Sequence, residues 1–193
     1  KQINMACNLT HGRGIPCRNL VGGVKFVYFA KKEEISSLVT VGSEITDIEM
    51  GTNDLYRYSV RRGNASVTET ITGSTENGTV VYAPTVNLKL TGLSTQDQNE
   101  LKMIAQANLV VFVQLNQVLA TNDNNVILCL GATNGMDLNS GTNASGAAFA
   151  DMNGYDWTFE GQEFAPMQTV ADYPPATGPF TNTDFTIGSI VIV

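Results

Sequence analysis

A mainly β fold, with one helix packed on a sheet, is what this sequence predicts, and three observations predict it. Charged residues make up only 15% of the 193 positions, while Thr, Asn, Gly and Ser are abundant. That composition supplies β-branched strand residues and turn residues rather than the charged faces of long helices. Apolar and polar residues alternate with a period of two over 56–61 and again over 155–160, the spacing of half-buried strands. Asn77-Gly78 lies between two Thr- and Val-rich runs, the strongest short-range hairpin signal. With 42% hydrophobic residues the chain is long enough for one proper core. The expected organisation is an extended N-terminal arm over 1–23 and a single β-rich domain over 24–193.

The arm is inferred from Gly12, Gly14, Pro16, Gly22 and Gly23, which punctuate residues 1–23 too densely for regular structure. Val24 to Ala30, aromatic and β-branched, reads as the first strand. Residues 31–54 carry a Lys-Lys-Glu-Glu cluster and then short apolar pieces at 38–41, Ile45, Ile48 and Met50, read as strand fragments. In the next run Tyr56, Tyr58 and Val60 are expected to face inward and Arg57, Ser59 and Arg61 outward. Gly63-Asn64 supplies a turn, and a second strand returns over 66–72. A further hairpin turns at Asn77-Gly78, between 68–72 and 79–82, and continues through Val86, Leu88 and Leu90. Pro84 lacks a donor N–H, so a bulge or an edge is expected there.

A helix is predicted over about 94–107. Ser94 or Thr95 can cap it, Thr95-x-x-Gln98 has capping-box spacing, and Leu101, Ile104 and Ala105 form an apolar stripe. Residues 109–115 and 126–130 are continuous apolar runs and read as deep strands, with 122–125 as their turn. A Gly/Ser/Asn-rich stretch over 134–146, in which no strand is read, precedes an amphipathic strand in which Tyr155, Trp157 and Phe159 share a face. Residues 172–184 read as an extended loop holding Pro174, Pro175 and Pro179. The apolar ending over 185–193 has no gatekeeper charge, so Ile190, Val191, Ile192 and Val193 are expected to pair with a sheet edge, either the chain's own or a neighbour's.

The residues point away from most site chemistry. The net charge is −7, and basic residues occur only singly or in short pairs such as Lys31-Lys32 and Arg61-Arg62, so no stripe is present to hold phosphates. No hydrolase-elbow, zinc-protease or P-loop motif occurs, and the one histidine, His11, falls in the glycine-rich arm. Cys7, Cys17 and Cys129 have neither zinc nor disulfide-framework spacing; reduced thiols are expected, with a Cys7–Cys17 bridge as the alternative. Asp156 and Glu160 alternate with core aromatics and so belong to a solvent face rather than to a glycosidase acid pair. Asp137-x-Asn139-x-Gly141 resembles a calcium loop only until Ala148 stands where a bidentate Glu belongs. Four Asn-x-Ser/Thr sequons, at Asn8, Asn64, Asn77 and Asn143, read as turn chemistry. No catalytic residue, metal site or cofactor is expected. No apolar run approaches the ~20 residues of a membrane span, and residues 1–5 lack a signal-peptide segment, so a soluble chain is expected. The non-Met start fits either an omitted first residue or a removed leader.

Cys7 and the stretch His11-Gly-Arg-Gly-Ile15-Pro16-Cys17-Arg18-Asn-Leu-Val-Gly-Gly-Val-Lys-Phe-Val-Tyr-Phe29 resemble the opening of tail-tube and related virion proteins of phages infecting Bacteroidetes-type bacteria. Beyond these residues the likeness is one of layout only. The resemblance implies a tail-tube-like β-sandwich or barrel, closed into stacked, hexameric rings that form a channel through which DNA passes without specific binding. Its partners would be copies of itself and other phage tail proteins, with assembly in the host cytoplasm and residence in the virion tail. Assembly contacts are expected at Ile15, Pro16 and Arg18 of the arm, at Asn77 and Gly78 of the hairpin tip, and at Ile190, Val191, Ile192 and Val193. Two other classes share the β-rich pattern: a surface fibre or pilin-like subunit assembling by strand complementation, and a carbohydrate-binding β-sandwich using Tyr155 and Trp157.

Overall fold

The computed structural model describes residues 12–14, 20–119, 123–174 and 178–192, and every structural statement below concerns these. The fold is mainly β. Twelve strands form one hydrogen-bonded network: β1 (Val24–Lys31), β2 (Ser37–Val41), β3 (Glu44–Glu49), β4 (Leu55–Ser59), β5 (Ala65–Ser74), β6 (Thr79–Thr91), β7 (Leu109–Val118), β8 (Asn125–Leu130), β9 (Met136–Ala144), β10 (Gly154–Gly161), β11 (Gln168–Val170) and β12 (Ile190–Ile192). One helix, α1 (Thr95–Ile104), stands between β6 and β7.

The network divides naturally in two. One half runs β2-β3-β11-β8-β7-β1-β4-β12 and the other β9-β10-β6-β5, and the single ladder pair Leu109–Met136 joins them. The two halves face each other. Val27 and Phe29 of β1 and Val111 and Val113 of β7 pack with Val86 and Leu88 of β6 and with Tyr155, Trp157 and Phe159 of β10. The rings of Phe29 and Phe159, one from each half, lie 4.9 Å apart. At ~25 cal/mol per Å², each such aromatic contributes about 4–6 kcal/mol of burial before entropy is charged against it. The alternation expected over 155–160 is thus seen, with Tyr155, Trp157 and Phe159 inaccessible to solvent.

The opposite face of β1, β7 and β8 is buried as well, which is why their sequences are continuously apolar. Tyr28, Val110, Phe112, Ile127 and Cys129 pack there against Ile45, Ile48, Met50, Leu55 and the loop residues Tyr173 and Phe180. The first half curls around this second core. The Thr186 N–H donates to Ile48 O and the Met50 N–H to Thr186 O, so residues 185–189 lie along the end of β3 before β12 pairs in parallel with β4.

Several expectations need correction. The helix ends at Ile104, short of 107. Of the two expected caps it is Ser94 that acts, its hydroxyl oxygen accepting from the Asp97 N–H at 3.0 Å; the side chain that meets the cap is Asp97, to whose Oδ2 the Ser94 hydroxyl donates at 2.6 Å, and not Gln98, and Ala105 is exposed instead of joining the stripe of Leu101 and Ile104. The turn at Gly63-Asn64 does not make a hairpin: β4 pairs with β1 and β12, β5 pairs with β6, and the turn carries the chain from one half to the other. Arg57 does not simply face solvent, because its guanidinium stacks on Phe26 at 4.5 Å, while Tyr56 is the more exposed residue. The Gly/Ser/Asn-rich stretch 134–146, in which no strand is expected from the sequence, holds the nine-residue strand β9, since Met136 and Leu138 pack inward and β10 supplies a ladder partner. Of the two alternatives at Pro84 the edge holds and the bulge does not: the β5 ladder runs through Glu69–Pro84 without a shift, and β10 stops pairing at Thr85. The Tyr82 N–H points away from β5, to Glu163 O, so the Pro84 nitrogen two residues on points the same way, to the side where the β10 ladder ends at Thr85.

Candidate assembly surfaces

The β5–β6 hairpin outgrows the sandwich. β10 covers β6 only from Thr85 to Thr91, whereas β5 and β6 stay paired out to Ser74 and Thr79. Residues 70–74 and 79–83 therefore form a two-stranded ribbon beyond the sheet. Its face is a continuation of the core face, because Ile71, Gly73, Val80 and Tyr82 have the same parity as Val67 and Val86. Ile71 is 61% and Val80 52% exposed there. The tip is a four-residue loop, 75–78, in which Gly78 takes φ +63°, a conformation that favours glycine, and the Asn77 N–H donates to Ser74 Oγ at 3.2 Å. Two anchors hold the ribbon's base. Glu69 accepts the Met167 N–H at 2.6 Å, and Tyr82 exchanges two backbone hydrogen bonds with Glu163.

Among the described residues the sheet β9-β10-β6-β5 is open along both edges. Past Met136, β9 has no partner beyond β10, and β5 pairs with β6 alone. Natural edges are commonly blunted by proline, bulges, lysines or short length. β5 has ten residues with one charge, Glu69, and β9 has nine with one charge, Asp137; neither contains proline, and β9 carries one irregularity, a register shift at Asn139 where the ladder passes from Ser140–Thr158 to Leu138–Phe159. The outer face of this sheet is polar and cross-linked. Lys89 Nζ meets Asp156 Oδ2 at 2.9 Å, Asn139 Nδ2 donates to Glu160 Oε2 at 2.6 Å, and Thr158 Oγ1 donates to Asn87 Oδ1 at 2.8 Å.

Of the residues expected to carry contacts, Asn77 and Gly78 stand at the exposed ribbon tip, while Ile190, Val191 and Ile192 lie on the other half of the fold, paired with Leu55, Tyr56 and Arg57 of the same chain. Asp54 Oδ1 accepts both the N–H and the hydroxyl of Ser189 at 2.7 Å, which fixes the approach of β12. Ile15, Pro16, Arg18 and Val193 lie outside the described residues, as do His11 and the Cys7–Cys17 pairing. Residues 12–14 and 20–23 of the arm are exposed and carry neither helix nor strand. The open edges β5 and β9 were not among the expected contacts; edge status belongs to strand order, which a sequence does not display.

Other chemistry is sparse among the described residues. No three His, Cys, Asp or Glu side chains gather as metal ligands, and no helix is long and apolar enough to cross a membrane. Asp137, Asn139 and Gly141 lie within strand β9 rather than in a calcium-type loop. Tyr155 and Trp157 are sealed in the core, so neither is presented to a glycan. Cys129 is a buried free thiol whose pKa is pushed up, chiefly by desolvation. No family model, curated protein or solved structure matches the chain.

Proposed function

We propose that this chain is a non-catalytic structural subunit that assembles with copies of itself, as in a bacteriophage tail tube, β5 of one copy pairing with β9 of the next. The observation that carries this reading is the sheet with two open edges of nearly equal length, both free of proline and lysine. The order β9-β10-β6-β5 is antiparallel throughout, so the two outer strands run in opposite senses, and a second copy placed edge to edge continues the antiparallel pattern. Because the two edges differ, the contact is head-to-tail; it closes into a ring when the rotation between copies divides a full turn. The protruding ribbon then offers Ile71 and Val80 for contact between rings. The hydroxyl- and amide-rich outer face, its one lysine neutralised by Asp156, suits a channel wall along which DNA passes without adhering.

The Tyr82 N–H points away from β5, so the facing residue Ile71, in a pair of the same kind, directs its own N–H to the free edge. Ile71→Pro therefore removes an edge donor without removing a β5–β6 hydrogen bond. Negative-stain microscopy and sedimentation of the wild type are expected to show rings or tubes, and Ile71→Pro to give dispersed protein with an unchanged circular dichroism spectrum. Dispersed wild-type monomers at high concentration would overturn self-assembly; solid fibres would replace the ring by strand complementation.

A further inference from the structure

We propose that Asn77 is a site of spontaneous deamidation, singled out by the fold from the three Asn-Gly pairs of the chain, Asn77-Gly78, Asn134-Gly135 and Asn153-Gly154. The reaction needs the nitrogen of the following residue to reach the Asn side-chain carbonyl carbon. Glycine favours it because it has no Cβ in the way and its backbone moves most freely. Sequence makes the three pairs equivalent, and structure separates them.

At the ribbon tip both residues are exposed, nothing lies within 4 Å of where a Gly78 Cβ would stand, and the turn's one hydrogen bond to this pair is from the Asn77 N–H to Ser74 Oγ. The Asn77 amide and the Gly78 N–H are free to meet. Asn134 is held on every side. Its Nδ2 donates to Gln162 O at 2.7 Å, its N–H to Glu163 Oε1 at 2.8 Å, and its carbonyl accepts from Asn108 Nδ2 at 2.8 Å. Gly135 behind it is buried. The Asn153 carbonyl accepts from the Gly92 N–H at 2.8 Å, and Gly154 is buried between its ladder partners Thr91 and Ala144.

In the reaction the Gly78 nitrogen loses its proton and bonds to Asn77 Cγ. The Cγ–Nδ2 bond breaks and ammonia leaves, giving a five-membered succinimide. Water then adds to either ring carbonyl and reopens it, yielding aspartate or, with the main chain rerouted through the side chain, isoaspartate. The net change is amide plus water to carboxylate plus ammonium, with no oxidant or reductant. Each event places a negative charge next to Glu76, and the isoaspartyl product adds one methylene to the four-residue turn.

The test is peptide mapping by mass spectrometry of the full chain kept at mildly alkaline pH in ¹⁸O-water, with and without denaturing urea. In native protein Asn77 is expected to incorporate label at least about tenfold faster than Asn134 or Asn153, a difference of ~1.4 kcal/mol in activation free energy. In urea the three rates converge, and Gly78→Ala slows the Asn77 reaction in both. Equal native rates at the three pairs, or an Asn77 rate that rises in urea to join the others, would overturn the assignment.

Discussion

Glu69 Oε1 accepts the backbone N–H of Met167 at 2.6 Å across 98 residues of sequence, at the level where β5 leaves the sandwich. The same carboxylate lines the small crevice beside Pro84, Glu163 and Cys129, so one acidic side chain ties the ribbon's base to the segment leading into β11. A hydrogen bond to a charged acceptor contributes about 1.5–3 kcal/mol and a neutral one about 0.5–1.5. Glu69→Ala is expected to lower unfolding free energy in urea by ~2 kcal/mol and Glu69→Gln by about half as much. Equal losses would assign the effect to packing.

Gly141 faces Trp157 across the β9–β10 ladder, and a Cβ there would stand 3.0 Å from the indole Cδ1. The indole is fully buried, and its N–H has no hydrogen-bond partner among the described residues. Gly141→Val is expected to displace the ring and destabilise the fold by about 1–3 kcal/mol, the usual range for overpacking. Because this is the only tryptophan, the displacement reads directly as a shift in intrinsic fluorescence.

Burial pushes the Tyr28 and Tyr58 hydroxyls up to about 12 from 10; near Tyr58 the carboxylates of Glu100 and Asp97 add to the effect. Their protonated forms are favoured by folding, so between pH 10 and 12 the unfolded chain releases protons that the native state retains. Stability is then whole below pH 10 and falls as pH rises toward 12. Denaturation midpoints measured across this window should decline, and Tyr28→Phe should flatten the decline.

Cys129 is 1% exposed and its thiol is held protonated by desolvation. Since the thiolate is the reactive form, alkylation at this position should follow the rate of opening of β8 rather than reagent concentration. Labelling of native protein as fast as that of urea-unfolded protein would contradict the burial.

Asp54→Ala removes both contacts to Ser189. Hydrogen exchange over 185–192 is expected to accelerate by about tenfold, the equivalent of ~1.4 kcal/mol, while exchange in β7 stays unchanged.

The sequence made the deep strands legible because burial leaves a chemical trace: Val110 to Val113 are apolar without interruption, and Tyr155, Trp157 and Phe159 keep strict alternation. β9 was hidden because Asn139, Ser140, Gly141 and Thr142 have turn composition, and its ladder with β10 outweighs that preference. β11 is three residues long, too short to show a period. The Gly63-Asn64 turn was legible as a turn, but local chemistry does not say whether the strands on either side share a sheet. For the assembly surfaces, Asn77-Gly78 announced the ribbon tip, whereas the open edges of β5 and β9 emerge only once every strand has found its neighbours.

The parallel seating of β12 beside β4 has a consequence for the order of events during synthesis. Leu55 waits 135 residues for Ile190, so at ribosomal speeds of ~5–20 residues per second the β4 rim stands bare for roughly 7 to 27 seconds. Pairings this distant in sequence are also the slow ones to form. Throughout that interval the nascent chain carries an unfilled slot shaped for a short apolar strand, and a chaperone or a neighbouring nascent chain has first access to it.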